Sequence, residues 1–286
     1  MLQGLSFEVF PPNTTIGVNK LTQTLKELQQ LEPAFISVTC SNGTNHVADT
    51  TVKVASYIHQ QLHIPTIAHL PATYLSKEEV DEVLQQLDQL GIHQVLALRG
   101  DILTDVVPKD DFKYADELTR YIKEKAPQFQ LTGACYPEMH PESSSRITDI
   151  QHLKKKVDAG CTQLITQLFL DNELFYRFQE SCYLAGIDVP ILAGIMPIVN
   201  RNQALRLLKT TQTQLPRKFL AILEKYEHNP IALRDAGLAY AVDQIVDLVT
   251  QDVSGIHLYT MNNAQIAQRV VENTHSLFSE NKVRVG

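Results

Sequence analysis

Eight short apolar runs, mostly separated by stretches of helical periodicity, predict an α/β fold: a (β/α)₈ barrel of parallel strands. The runs cover residues 5–10, 34–39, 65–70, 94–98, 130–135, 163–168, 191–196 and 255–259. Each is too short for a helix and is bounded by turn residues. A doubly wound open sheet is the alternative, but no G-x-G-x-x-G follows the first run.

The first run is closed by Pro11 and carries a single carboxylate, Glu8. Beyond it, Leu21, Leu25, Leu28 and Leu31 share one face of a helix expected over 18–31. A helix over 76–90 opens with Ser76 as N-cap and Glu79 three residues on, a capping box that satisfies two backbone amides. Val80, Val83, Leu84, Leu87 and Leu90 form its apolar stripe, and Gly91 ends it. A further helix over 149–159 carries Ile150, Leu153 and Val157 and stops at Gly160. The longest interruption, 197–254, holds helical stretches at 203–208 and 217–223. It reads as an elaborated crossover before the last strand, with no linker-like composition around it. Residues 1–286 are therefore expected to form a single domain.

Apolar residues make up 44% of the chain and charged residues 20%, which suits a globular protein with a sizeable core. The net charge of −7 argues against a nucleic-acid or anionic-membrane binder, though not against a local basic pocket. No secretory signal and no apolar stretch of membrane-spanning length is seen. Cys40, Cys135, Cys161 and Cys182 form no C-x-x-C pair, so neither a zinc site nor a redox dithiol is expected. Reduced thiols in a chain without a signal fit the cytoplasm.

A barrel enzyme builds its site at the C-terminal ends of its strands. Here those ends offer Glu8, Thr39, His69, Arg99, Gly100, Asp101, Tyr136, His140, Gln167, His257 and Tyr259. Glu8 is the most telling. A carboxylate in an apolar strand must be paired, neutralised or used, so it is either a structural ion-pair partner or an acid held near neutral pKa. Arg146, Lys154, Lys155 and Lys156 gather around one helix of an acidic chain. They form either a solvated face or a contact for a pyrophosphate. Gly100 lets backbone approach a flat ligand closely, and Asp101 follows it at once.

Five ordered motifs carry a family resemblance: S-F-E-V-F-P-P from Ser6, A-L-R-G-D from Ala97, Y-P-E-M-H-P-E from Tyr136, K-K-V-D-A-G from Lys155 and I-T-Q-L-F-L-D from Ile165. Together they resemble methylenetetrahydrofolate reductase, in its short bacterial form, from about Ser6 to about Thr274. The resemblance implies a cytoplasmic, homo-oligomeric FAD enzyme. It implies that 5,10-methylenetetrahydrofolate is reduced to 5-methyltetrahydrofolate for methionine synthesis, with NADH or NADPH reducing the flavin in a ping-pong scheme. Glu8 falls on the family's general acid and Asp101 on the carboxylate beside the flavin. Thr39, His69, Arg99, Gly100, Ala115, Tyr136, His140, Asp149, His152, Lys155 and Lys156 fall on cofactor-contacting positions. Gln167, Gln203, Tyr259 and Asn263 fall on positions near the substrate.

The chain departs from the family pattern in places. Cys40 stands where Tyr is usual, His152 where Asn is frequent, Leu207 where a Phe stacks on the substrate, and Asn263 where an Arg lies. Residues 41–46 lack the usual glycine-rich, basic stretch. These departures bear on how the folate tail and the nicotinamide are held. Two other readings are an aldolase-type barrel with a Schiff-base lysine and a non-catalytic or altered-substrate relative that binds flavin or folate. No lysine ends an apolar run, which counts against the first.

Overall fold

A computed structural model describes residues 4–12, 14–40, 47–100, 107–210 and 215–278. Eight parallel strands close on themselves in sequence order. They are β1 (Leu5–Val9), β2 (Ile36–Val38), β3 (Thr66–Pro71), β4 (Gln94–Leu98), β5 (Gln130–Cys135), β6 (Cys161–Thr166), β7 (Ile191–Ile195) and β8 (Ile256–Tyr259). β8 returns to β1 in a register that sets Ser6 beside His257 and Glu8 beside Tyr259. The predicted barrel is the observed one.

Around it lie α1 (Thr15–Gln29), α2 (Val47–Ser56), α3 (Lys77–Gln89), α4 (Ala115–Lys125), α5 (Arg146–Asp158) and α6 (Asn172–Leu184). A π-helical turn at Tyr57–Gln61 continues α2. The crossover holds α7 (Arg201–Thr210), α8 (Arg217–Lys225) and α9 (Pro230–Thr250), and α10 (Ala264–Phe278) follows β8. No helix among the described residues is long and apolar enough to cross a membrane.

Alternation along each strand sorts side chains into two cores. Phe7 and Val9 of β1 point outward and pack with Leu21, Leu25 and Leu28 of α1 in the layer between barrel and helices. Phe35, Ile67, Leu96, Ile165 and Leu192 fill the barrel interior. Burying each such side chain contributes about 1.5–3 kcal/mol. The capping box of α3 forms as predicted: Ser76 accepts from the Glu79 amide at 3.3 Å, and Glu79 accepts from the Ser76 amide at 2.7 Å.

Several boundaries differ from expectation, two of them for a reason the structure shows. The first helix begins at Thr15 because the Thr14 hydroxyl accepts from the Gly17 amide at 3.1 Å, a cap outside the apolar period. The sixth strand runs Cys161–Thr166, not 163–168. Leu168 and Leu170 leave the ladder and join Ile198, Ala204, Phe219 and Tyr240 in a small core under the crossover. The Tyr240 hydroxyl donates to the Leu170 carbonyl at 2.5 Å and ties α9 to that segment. Gly237 on α9 sits so close to the Ile198 carbonyl that any Cβ there would overlap it.

Candidate active site

At the C-terminal ends of the strands a cavity of about 790 Å³ opens between the βα loops. Glu8 forms part of its floor, and 23% of its side chain is exposed, while His69 beside it is only 7% exposed. The Glu8 Oε2 and His69 Nε2 atoms lie 3.7 Å apart. Burial pushes the Glu8 carboxyl up to about 8 and pulls the His69 imidazole down to about 4. Near neutral pH both are therefore uncharged, and the pair is a carboxylic acid beside a neutral ring rather than a salt bridge.

The backbone around Glu8 is held firmly. The Thr260 hydroxyl donates to the Glu8 carbonyl at 2.7 Å. Asn262 accepts from the Phe10 amide at 3.0 Å and donates to the Phe10 carbonyl at 2.8 Å. Below Glu8, His257 is buried between the hydroxyls of Ser6, at 2.8 Å, and Ser37, at 3.1 Å, and stacks on Phe35. It is a structural residue inside the barrel and does not line the cavity.

Tyr259 enters from β8 and donates its hydroxyl to the Thr166 carbonyl at 2.5 Å. Its ring has room only because residue 194 is glycine, where a Cβ would stand 2.7 Å from the ring. Gln167 follows β6, lines the cavity and accepts from the Leu168 amide at 2.9 Å.

One wall comes from the loops after β4 and β5. Arg99 is gripped by both carboxylate oxygens of Glu142. The Glu142 amide donates to His140 Nδ1 at 3.1 Å, and His140 packs edge-on against Tyr136 with centroids 4.7 Å apart. Gly100 has φ +91° and lies against Pro71 and Thr73, so a side chain there would be both strained and crowded. Arg146 does not enter the cavity; it donates to the carbonyls of Tyr136, at 3.1 Å, and Pro137, at 2.5 Å. Asp149 accepts from the Ser143 hydroxyl at 2.9 Å. Of the basic cluster, Lys155 and Lys156 line the cavity, whereas Lys154 pairs with Asp158. Lys156 donates to the Ala134 carbonyl at 2.6 Å.

The cavity thus gathers Glu8, Thr39, His69, Arg99, Gly100, Ala115, Tyr136, His140, Asp149, His152, Lys155, Lys156, Gln167 and Tyr259. Two expected substrate residues are not among those lining it. Gln203 accepts from the Val199 amide at 2.9 Å at the start of α7. Asn263 accepts from the Ile266 amide at 3.2 Å and caps α10. Asp101, residues 41–46 and the Leu207 side chain lie outside the described residues. Cys40 lines the cavity, but burial pushes its thiol up to about 11, so it is not a thiolate near neutral pH. Sequence reasoning missed Glu142, Gly194, Thr260 and Asn262, whose roles depend on partners far away in the chain.

A second, more open cleft of about 530 Å³ lies at the opposite end, among His59, His63, His93 and the starts of β3 to β5. Barrel chemistry belongs to the other face. Among the described residues no cluster could hold a metal ion.

Residues 3–275 match the family model described as methylenetetrahydrofolate reductase. The chain belongs to the methylenetetrahydrofolate reductase family. It is 32% identical over 272 residues to the 5,10-methylenetetrahydrofolate reductase of Pectobacterium carotovorum, covering 94% of this chain and 90% of that one. It is 34% identical over 292 residues to methylenetetrahydrofolate reductase (NADH) 1 of Arabidopsis thaliana. That match covers 97% of this chain but 49% of the plant protein, so the chain spans about half the plant reductase's length. A solved structure of an uncharacterized Clostridium thermocellum protein that binds two copies of 5-methyl-5,6,7,8-tetrahydrofolic acid shares the fold. Its TM-score is 0.71 at 15% identity, covering 96% of this chain and 95% of that one.

Proposed function

We propose that this reductase-family chain converts 5,10-methylenetetrahydrofolate to 5-methyltetrahydrofolate in the cavity above Glu8, with FAD as cofactor and NADH or NADPH as electron donor. The observation that carries the reading is the Glu8 carboxyl at the cavity floor, 3.7 Å from the His69 ring, where burial raises its pKa to about 8 and favours the protonated form. Opening the five-membered ring of the substrate needs a proton on its departing nitrogen. An acid kept neutral near pH 7 supplies it.

The residues present fit FAD. Glu8, His69 and Gln167 leave a cavity of about 790 Å³ above them at the strand ends. Gly100, against Pro71 and Thr73, clears a surface just past the end of β4. Lys155, Lys156 and His152 stand along the outer wall, where they suit a pyrophosphate and its nucleoside. Bound there, FAD would carry two electrons from the nicotinamide to the folate. Both substrates would use the one cavity in turn, which is a ping-pong scheme.

Glu8 gives its proton to the departing nitrogen as the carbon–nitrogen bond breaks, leaving a cationic methylene iminium and a carboxylate. Enclosure by Leu96, Leu98 and Tyr259 keeps water from the cation. Asp101, next to Gly100 in sequence, is placed in this reading to stabilise the positive charge. Gln167 offers an amide to the pterin or the nicotinamide. Arg99 meets an anionic ligand only by sharing or leaving Glu142.

An anaerobic two-step titration tests the reading. The purified protein should be yellow, NADH or NADPH should bleach it, and methylenetetrahydrofolate should restore the colour. A protein unable to take up FAD would refute the flavin reading. Bleaching without recovery would favour a non-catalytic or altered-substrate relative.

A further inference from the structure

In the reaction proposed above, each folate reduction consumes one proton, and Glu8 delivers it. The carboxylate left behind lies on the cavity floor, where burial makes an anion costly, and it must be reloaded before the next turnover. His69 is the described group best placed to do this. Its ring lines the cavity, and its Nε2 is within ion-pair range of Glu8 Oε2 at 3.7 Å. That nitrogen is buried and has no hydrogen-bond partner.

Among the described residues, His257, Tyr259 and Cys40 are poorly suited to the task. Both nitrogens of His257 are taken by Ser6 and Ser37. The Tyr259 hydroxyl is donated to the Thr166 carbonyl, and burial raises its pKa well above the usual range. The Cys40 thiol, on the cavity wall, is also pushed up by burial.

We propose that His69 reloads Glu8, taking a proton from the cavity and passing it from Nε2 to the Glu8 carboxylate; this rests on the reductase reading. The balance is simple. Glu8 loses its proton to the substrate nitrogen, the imidazole gains one from solvent, and the Nε2–H bond then breaks as the Glu8 O–H bond forms. The ring returns to neutral, and one solvent proton is consumed per turnover. The pair also times itself. While Glu8 is neutral, burial holds His69 uncharged, with its pKa near 4. Once Glu8 is an anion, an opposite charge at 3.7 Å favours the imidazolium.

The test compares wild-type holoenzyme with His69→Ala and His69→Gln, the latter keeping a polar group that cannot carry a proton. The first reoxidation of reduced enzyme by methylenetetrahydrofolate uses the proton already on Glu8, whereas steady-state turnover needs reloading. In both variants the steady-state rate should fall about tenfold or more beyond any fall in the first turnover. Added imidazole should restore the His69→Ala rate in a saturable, pH-dependent way. In the apoprotein, infrared spectroscopy should show a carboxylic-acid band that Glu8→Gln abolishes and His69→Ala retains.

First and later turnovers falling together, unchanged steady-state rates, no rescue by imidazole, or loss of the band in His69→Ala would each overturn the role. So would failure of both variants to retain FAD, which would make His69 a cofactor ligand only. Wild-type enzyme that is bleached by nicotinamide but not reoxidised by folate would instead overturn the reductase reading.

Discussion

Glu8 keeps its proton because the barrel wall solvates a carboxylate poorly, which raises its pKa from 4.5 to about 8. The folded chain then binds a proton that the unfolded chain has released between those two values. Stability from this group therefore falls as pH rises from about 4.5 to about 8 and is level above that. His69 acts in the opposite sense. Its pKa drops from 6.5 to about 4, so its contribution is lost as pH falls through that range. Glu8→Gln isolates the first effect. In urea unfolding of the apoprotein, the variant should gain on the wild type steadily between about pH 4.5 and pH 8. A pH-independent difference would show that Glu8 is not a buried acid. At the same scale, Tyr259→Phe removes the donor to the Thr166 carbonyl. It should cost about 0.5–1.5 kcal/mol in the same assay.

The elements hold these side chains through a few close approaches. β6 and β7 meet where the Gly194 amide donates to the Thr166 hydroxyl at 2.8 Å, and a Cβ at 194 would overlap the Thr166 carbonyl and crowd Tyr259. Gly194→Ala should lower stability by roughly 1–3 kcal/mol and weaken folate binding more than flavin binding, since the ring it displaces faces the cavity floor. Equal affinities for both ligands with unchanged stability would contradict this. The α3 cap lies away from the cavity. Ser76→Ala should cost about 0.5–2 kcal/mol in thermal or urea unfolding and leave ligand binding intact. Such contacts explain what is hard to read in the sequence. The cap of α3 is legible because its partners are three residues apart. The hold of Glu142 on Arg99 spans 43 positions and has no local signature. Gly194 looks like any small residue in a buried strand until its neighbours are known.

At the level of the whole molecule, the barrel is legible because each strand is a short apolar run and most gaps carry a helical period. Closure then brings strand ends together, so Glu8, His69, Arg99, Gln167 and Tyr259 share one cavity despite spanning most of the chain. Gln203 and Asn263, which the family resemblance puts near the substrate, are not among the residues that line it. Both follow a strand, but each spends its side chain on a backbone amide at a helix start. The sixth strand is offset because apolar residues after it serve the crossover core, and apolarity alone does not say which core a residue joins.

In the proposed scheme one cavity serves two half-reactions, and Glu8 is needed in only one. The direct measurement is the anaerobic rate of each half-reaction in Glu8→Gln. Reduction of the enzyme by NADH or NADPH should stay near the wild-type rate, while reoxidation by methylenetetrahydrofolate should fall by roughly 10²–10⁴-fold. An equal loss in both, or a folate rate that survives the substitution, would show that Glu8 is not the acid of the folate step.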